Sequence, residues 1–285
     1  MFHASLLPLD GITVKLYDTV KRYNTVLHES ACIMRIIAIA NQKGGVGKTP
    51  TTVNIAFALA RSGYTILLVD LDPQGSLSEY FLADQADIQE VTVYNALSDL
   101  QRIEPLSLTK QIALLPAHDE LAGAELELPS KVHGQKRLAK VLSFYQADYD
   151  FCLLDCPPSL GILTINALSS AHQVVIPVKT EISAERALKR IKNTIKDIQE
   201  SDLNGDLTIW GILPTIYDSR KAHHKEVLQA LRFKYGDEVY KEPSRETTKY
   251  NDATVLKTDV SALDKALGAY WDTLAATFAQ EGKVK

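Results

Sequence analysis

A glycine-rich run that ends in Gly-Lys-Thr is the first place where residue types and spacing indicate chemistry. Gly44, Gly45 and Gly47 permit a tight turn that aims several backbone N–H groups at one point. A helical pattern follows the run, and the positive end of a helix dipole favours an anion. Lys48 is long enough to reach the β- and γ-phosphates of a nucleotide, and the Thr49 hydroxyl can bind Mg²⁺. The spacing therefore predicts a site for nucleotide phosphates and a metal ion.

Carboxylates close two of the apolar runs farther along the chain. Asp70 and Asp72 stand at alternate positions, and alternate residues of a strand point to the same side. Asp155 ends another apolar run, where it is placed to hold Mg²⁺. Carboxylates beside a phosphate site suit a metal shell and a base that orients water for phosphoryl transfer. The simpler alternatives are a solvated acidic turn at 70–72 and a helix-capping role for Asp155.

These groups need a scaffold that brings distant segments together, and the chain from residue 35 onward has the pattern of one. Short runs rich in Ile, Val and Leu alternate with longer segments of helical pattern. The predicted strands cover residues 35–41, 65–70, 112–116, 150–155, 173–178 and 207–214. Because the runs do not alternate apolar with polar residues, both faces of each strand should be buried. The predicted fold class is α/β, with a mostly parallel twisted sheet and helices on both faces.

The composition narrows the class of protein. Of the 285 residues, 46% are hydrophobic and 23% are charged, which is typical of a soluble globular protein rather than a disordered or fibrous one. No apolar run approaches the roughly 20 residues of a membrane-spanning helix. Three cysteines do not make a disulfide framework in a chain this long, which favours a reducing cytoplasm. The formal net charge is −4, so any contact with nucleic acid has to come from a local basic patch.

The loop at 42–49 resembles that of the ParA/MinD family of deviant Walker ATPases. It has Gln42 where the standard phosphate-binding loop has its first glycine, and a second lysine, Lys43, before its own glycines. Segments 67–75, 121–128, 149–161 and 211–220 are similar to further motifs of the family. The resemblance extends from Met34 to the C-terminus. It implies a P-loop NTPase fold, a single ATPase domain at 34–285, and ATP and Mg²⁺ as cofactors.

The resemblance also implies roles for individual residues. ATP would be bound by Lys43, Gly44, Gly45, Val46, Gly47, Lys48, Thr49 and Pro50, and Mg²⁺ by Thr49, Asp70 and Asp155. Asp72 would position the attacking water. Lys43 would reach across a homodimer to the partner's ATP, much as an arginine finger supplied in trans accelerates GTP hydrolysis by about 10³–10⁵-fold. Lys43 and Asp72 are therefore the expected catalytic residues, and ATP is expected to hold the dimer together until hydrolysis separates it.

One position departs from the family pattern. Pro50 follows Thr49, where the family usually has Thr or Ser. Proline is tolerated in the first turn of a helix, because the N–H it lacks would have no helical partner there. It nevertheless removes a hydroxyl and an amide that could approach the α-phosphate, and a lost charge-assisted hydrogen bond costs about 1.5–3 kcal/mol. We therefore expect an ATP affinity below the family norm.

Basic residues in the second half of the chain suggest a nucleic-acid surface. A helix predicted at 181–200 has a basic side and an apolar side, and the simpler interpretation of the basic side is a solvated face. In the ParA branch of the family, dispersed basic residues bind DNA without sequence preference. The candidates for such contacts are Arg186, Lys189, Arg190, Arg220, Lys221, Arg245 and Lys249. Arg245 is the strongest single candidate, because its loop is similar to a late loop of that branch.

The resemblance implies a weak ATPase that a partner protein stimulates. It would form a homodimer with ATP, bind nonspecific DNA, and partition or position a plasmid, a chromosome or a protein assembly. A ParB-like protein or another cargo adaptor would be the partner, and the location would be cytoplasmic and nucleoid-associated, without a membrane. The alternatives are a MinD-like regulator of assembly on membranes and an ATP-gated transcriptional repressor. An apolar face at the C-terminus fits core packing better than a membrane; it consists of Leu263, Leu267, Tyr270, Leu274 and Phe278.

Residues 1–33 stand apart from these motifs. Apolar residues at helical spacing predict an amphipathic helix near 13–28. The segment is expected to be either an extension packed on the surface or translated sequence upstream of a natural start at Met34.

Overall fold

The computed structural model of this chain describes residues 34–82 and 92–281. Within them the strands are β1 (Arg35–Ile39), β2 (Ile66–Asp70), β3 (Leu106–Ser107), β4 (Ile112–Leu115), β5 (Phe151–Asp155), β6 (Gln173–Lys179) and β7 (Thr208–Thr215). These described strands form one sheet in the order β3–β4–β2–β5–β1–β6–β7, and all adjacent pairs except β3–β4 are parallel. The helix predicted near 13–28 lies outside the described residues, so it and the domain limits stay predictions.

Helices cover both faces of this sheet, which confirms the predicted α/β class. They are α1 (Lys48–Arg61), α2 (Ser76–Phe81), α3 (Val93–Asp99), α4 (Leu121–Glu127), α5 (Arg137–Leu142), α6 (Ile162–Ser170), α7 (Ala184–Glu200), α8 (Ala222–Tyr235), α9 (Lys249–Val255) and α10 (Lys265–Glu281). One core cluster joins the sheet to α3 through α8, and a second joins the opposite face to α1, α2, α9 and α10. Both faces of the central strands are therefore buried, as their unbroken apolar runs predicted.

The predicted strands are all present, with ends that differ by one or two residues. The short strand β3 was not predicted, because its two residues are partly or fully exposed and carry no apolar run. The helix expected at 181–200 begins instead at Ala184. Residues 181–183 form a turn, in which the Ala184 N–H donates to the Glu181 carbonyl at 2.9 Å.

The final helix α10 packs its apolar face into the core. Leu267, Leu274 and Phe278 are each at most 4% exposed, and Trp271 from the same helix is 1% exposed. The prediction of core packing for this face is confirmed. Across residues 34–82 and 92–281, no helix combines the length and the apolar character that crossing a membrane requires.

The strand register brings the chemical groups to one edge of the sheet. β5 lies between β2 and β1, and its Asp155 is level with Asp70 on one side and Ile39 on the other. The glycine-rich loop leaves the sheet directly after β1, and the loop that carries Asp72 leaves it after β2. In open α/β sheets this carboxyl edge of the strands is where ligands bind.

Candidate active site

The glycine-rich loop has the backbone conformation that its composition predicts. Gly45 and Gly47 have φ angles of +67° and +84°, in the left-handed region that residues with a side chain rarely adopt. The Thr215 hydroxyl, from the end of β7, donates to the Val46 carbonyl at 2.8 Å and ties the loop to the sheet. Helix α1 begins at Lys48, directly after Gly47. The result is the strand, loop and helix N-terminus that a phosphate-binding loop requires.

Pro50 fits into α1 without loss of a helical bond. The first helical hydrogen bond runs from the Thr51 N–H to the Gly47 carbonyl at 3.0 Å, so the N–H that proline lacks has no helical acceptor. The Pro50 carbonyl accepts from the Asn54 side chain at 2.7 Å, and the Val260 N–H donates to the Asn54 side-chain oxygen at 3.1 Å. The helix accommodates the departure from the family pattern, and weaker ATP binding stays a prediction.

Asp155 contacts the helix that follows the phosphate loop. Its Oδ2 accepts from the Thr49 hydroxyl at 2.6 Å, and its Oδ1 accepts from the Thr52 hydroxyl at 3.1 Å. Burial raises the pKa of Asp155 to about 6, while the Thr49 hydrogen bond and the charge of Lys48 oppose this rise. Mg²⁺ binds oxygen ligands, and a hydroxyl and a carboxylate in contact beside a phosphate loop suit it. Thr52 was missed from the sequence, although its spacing of three from Thr49 places both on one face of the helix.

Asp70 is buried beside Asp155, and its carboxylate accepts hydrogen bonds from residues that follow it in the chain. Its Oδ1 accepts from the Asp72 N–H at 3.1 Å, and its Oδ2 accepts from both the N–H and the hydroxyl of Ser78 at 2.8 Å. Burial, followed by the charge of Asp155, raises the pKa of Asp70 to about 7. A place for Asp70 in the Mg²⁺ shell stays a prediction; the contacts that it makes hold the loop that carries Asp72.

A cavity of about 640 Å³ opens above these groups, which is a suitable size for a nucleotide. From the sequence-predicted set it is lined by Gly44, Gly45, Gly47, Lys48, Thr49, Pro50, Asp72 and Arg245. Val46, within the loop, is buried, and Asp155 is buried in contact with Thr49. The opposite wall includes Thr247, Tyr250 and Trp271, which sequence reasoning missed. No local signal marks them, because only the fold brings them to a loop about 200 residues away.

Lys43 is held by residues of its own chain that follow β6. Its ammonium group donates to the Ser183 hydroxyl at 2.7 Å and forms an ion pair with Glu181. The Ser183 hydroxyl donates to the same Glu181 carboxylate at 2.6 Å, and Lys179 lies 3.3 Å from its other oxygen. The signature lysine is thus tied to the turn that precedes α7.

The predicted DNA contacts fall into two groups. On α7, Arg186 and Lys189 are exposed and line an open cleft, and they form no ion pair within residues 34–82 and 92–281. Arg190, on the same helix, donates to the Gln42 side chain at 3.4 Å. We call these three residues the α7 group.

The remaining candidates lie between β7 and α10 and have carboxylate partners or line the cavity. Arg220 is bidentate to Asp218 at 3.0 and 2.8 Å. Lys221 lies 2.5 Å from Glu246, and Lys249 lies 2.7 Å from Asp264. Arg245 is exposed and stands at the wall of the cavity that the glycine-rich loop lines. Sequence reasoning identified these charges but not the acids that neutralise them.

Comparison with known proteins identifies related sequences. The family model of an AAA domain matches residues 34–209. The sporulation initiation inhibitor protein Soj of Bacillus subtilis (strain 168) is 41% identical over 209 residues, which are 73% of this chain and 82% of Soj. The chromosome partitioning protein ParA of Myxococcus xanthus (strain DK1622) is 40% identical over 213 residues, which are 74% of this chain and 75% of that protein.

A solved structure extends the comparison to the ligands. Cobyrinic acid a,c-diamide synthase from Mycobacterium smegmatis, with bound ADP and magnesium, is 35% identical with a TM-score of 0.76, over 88% of this chain and 96% of that chain. The same protein has a structure with a bound ATP analogue and magnesium. The enzyme name describes that relative alone. Its nucleotide and metal match the two cofactors that the present sequence predicts.

Proposed function

The chain belongs to the ParA/Soj family of ATPases and uses ATP and Mg²⁺, and on this basis we propose that it is a partition ATPase. It forms a homodimer with ATP, holds DNA without sequence preference, and moves or positions a plasmid, a chromosome or a protein assembly. Its intrinsic hydrolysis is weak, and a ParB-like protein or another cargo adaptor stimulates it. It works in the cytoplasm, on the nucleoid.

The chain's own groups divide the work of phosphoryl transfer. The N–H groups of the glycine-rich loop and Lys48 bind and orient the phosphates. Thr49 and Asp155 hold Mg²⁺, which when bound supplies positive charge beside the phosphates. Asp72, at the cavity wall, orients the attacking water, and a base in this role contributes about 10²–10⁴-fold to the rate.

Lys43 acts on the nucleotide of the partner subunit. To do so, Lys43 gives up its contacts with Glu181 and Ser183. Glu181 then still has Lys179 as an ionic partner. ATP hydrolysis and dimer separation are thereby linked through one lysine.

The DNA surface includes the α7 group, whose charges are exposed. Cations that form no ion pair can neutralise phosphates directly, and each phosphate neutralised adds about −0.9 to the slope of log affinity against log salt. Arg220, Lys221 and Lys249 contribute less, because their carboxylate partners already neutralise them. Arg245 lines the nucleotide cavity and also a second cleft, which Arg220 lines as well.

One observation carries the proposal: Thr49 of the phosphate loop touches Asp155 at the carboxyl edge of the sheet, beneath a cavity that Asp72 lines. The test is a mobility shift with random-sequence duplex DNA at about 150 mM salt, without nucleotide, with ADP, and with ATP and Mg²⁺. We expect a shift with ATP alone, together with slow ATP hydrolysis. ATP hydrolysis without a shift in any state would contradict DNA as the track, and binding to anionic liposomes would then favour the membrane alternative.

A further inference from the structure

The loop from Asp70 to Ser78 places Asp72 at the wall of the nucleotide cavity. Within it, the Gly75 N–H donates to the Asp72 carbonyl at 2.8 Å, and the Gln74 N–H donates to the Asp72 carboxylate at 3.0 Å. The Asp72 N–H in turn donates to the Asp70 carboxylate. The position of Asp72 therefore depends on where Asp70 points.

Ser78, in the first turn of α2 directly after this loop, fixes the Asp70 carboxylate. Its N–H and its hydroxyl both donate to Asp70 Oδ2 at 2.8 Å, and both residues are 0% exposed. The Ser78 hydroxyl oxygen also accepts from the Ala117 N–H at 2.9 Å, two residues beyond the end of β4. One buried hydroxyl thus joins the ends of two neighbouring strands to the loop that carries Asp72.

We propose that Ser78 is a positioning residue for ATP hydrolysis, which acts by holding Asp70 so that Asp72 meets the nucleotide cavity in a fixed place. Hydrogen bonds to a buried carboxylate are stronger than those between neutral groups. A misplacement of about 1 Å at a reacting group costs on the order of 10²-fold in rate. Ser78 lies outside the cavity lining, so its effect passes through Asp70 and Asp72. The inference rests on the proposed role of Asp72.

The decisive variant is Ser78→Ala, measured by steady-state ATP hydrolysis. It removes one donor to Asp70 and leaves the Ala117 N–H without its acceptor, so Asp72 loses its fixed position. We expect kcat to fall about 10-fold to 100-fold, while KM for ATP and ATP-dependent dimerisation stay within about twofold. Tyr145→Phe is the matched control, because the Tyr145 hydroxyl is also buried, accepts from the Ile103 N–H and donates to the Ile103 carbonyl. If kcat falls by a similar factor in Tyr145→Phe, the effect of Ser78→Ala reflects a general loss of stability, and the inference is wrong.

A double variant that combines Ser78→Ala with Asp72→Ala tests whether Ser78 acts through Asp72 or independently of it. Because Ser78 acts through Asp72, adding Ser78→Ala to Asp72→Ala should cause no further loss of kcat. A further loss as large as that of the single variant would contradict the inference. Ser78→Thr keeps the hydroxyl and should hydrolyse within about threefold of the wild type, which keeps the inference testable if Ser78→Ala does not fold.

Failure of the inference is distinguishable from failure of the proposed function. If Asp72→Ala hydrolyses ATP like the wild type, the proposed role of Asp72 is wrong. If Asp72→Ala is inactive but Ser78→Ala has the kcat of the wild type, the role of Asp72 stands and that of Ser78 is wrong.

Discussion

At the nucleotide cavity the functional side chains are buried or half-buried and bonded to neighbouring protein groups, whereas on the basic surface they are exposed and differ in their partners. Thr49, Asp155 and Asp70 each have a specific protein partner within about 3 Å. Arg186 and Lys189, in contrast, stand on an exposed helix face. Phosphoryl transfer needs groups held in place, while a phosphate backbone that is bound without sequence preference needs mainly unneutralised charge. The difference in construction matches the two tasks in the proposed function.

Removal of the signature lysine should have the largest effect. We expect Lys43→Ala to lower ATP hydrolysis by about 10³-fold or more and to abolish ATP-dependent dimerisation, since in the proposed mechanism the lysine acts across the dimer. Lys179→Ala is the matched control, because Lys179 pairs with the same Glu181 but lies outside the phosphate loop. Hydrolysis and light scattering with ATP measure both effects. If the Lys43→Ala protein is dimeric and active, Lys43 is a surface charge and not an active-site residue.

The buried carboxylate of Asp155, at the proposed metal site, should make the affinity for Mg·ATP depend on pH. The pKa of Asp155 is raised to about 6 by burial, so the nucleotide-free protein binds a proton there below that pH. In the proposed role of Asp155 as a Mg²⁺ ligand, only its ionised form binds the metal ion, so binding releases this proton. Above about pH 7 the affinity for Mg·ATP should be constant, and below pH 6 it should fall by up to tenfold per pH unit.

The nucleotide also titrates in this pH range, and Asp155→Asn separates the contribution of Asp155 to the pH dependence from that of the nucleotide. The ratio of wild-type to variant affinity, measured by calorimetry between pH 5 and 8, should be constant at high pH and fall toward low pH. A ratio that does not change with pH would show that Asp155 is not the group that holds the metal ion.

The parts of the site that were predicted from the sequence are those in which local pattern and chemistry coincide. The glycine-rich loop and Asp155 follow apolar runs that identify strands by themselves, so their place at the strand ends follows from the pattern. Tyr250 and Trp271 could not be predicted, because their role in the cavity wall depends on how α9 and α10 pack across the sheet. The pairing of Lys249 with Asp264 was missed for the same reason: a sequence shows a charge but not its spatial neighbour.

The two groups of basic residues should differ in their effect on DNA binding. We expect Arg186→Ala combined with Lys189→Ala to weaken ATP-dependent DNA binding about fivefold to tenfold at 150 mM salt and to reduce the salt slope by about two. Lys221→Ala is the matched control for loss of a paired charge, since Lys221 lies 2.5 Å from Glu246, and its effect should stay within about twofold. Titrations at several salt concentrations measure both quantities. Equal losses from the two groups would show that pairing in the free protein does not decide which residues reach DNA.

The smallest expected effect concerns the contact between Lys43 and Glu181, which joins the phosphate loop to the turn before the basic helix α7. Glu181 and Ser183 hold Lys43 in the turn before α7, so the active-site lysine and the basic helix share one local structure. Glu181→Gln keeps the shape of the side chain but removes its charge, which frees Lys43 for the partner subunit. A half-exposed ion pair contributes about 0.2–1 kcal/mol, so ATP-dependent dimerisation should become up to about fivefold tighter.

Sedimentation with ATP measures this change, and Glu185→Gln is the matched control, because Glu185 lies four residues later, in the first turn of α7, and pairs with Lys234 instead. Tighter dimerisation in Glu181→Gln alone would establish that Lys43 leaves Glu181 when the dimer forms. Weaker dimerisation in that variant would mean that Glu181 itself contributes to the dimer. The lysine would then remain tied to its own subunit, and the proposed action in trans would have to be abandoned.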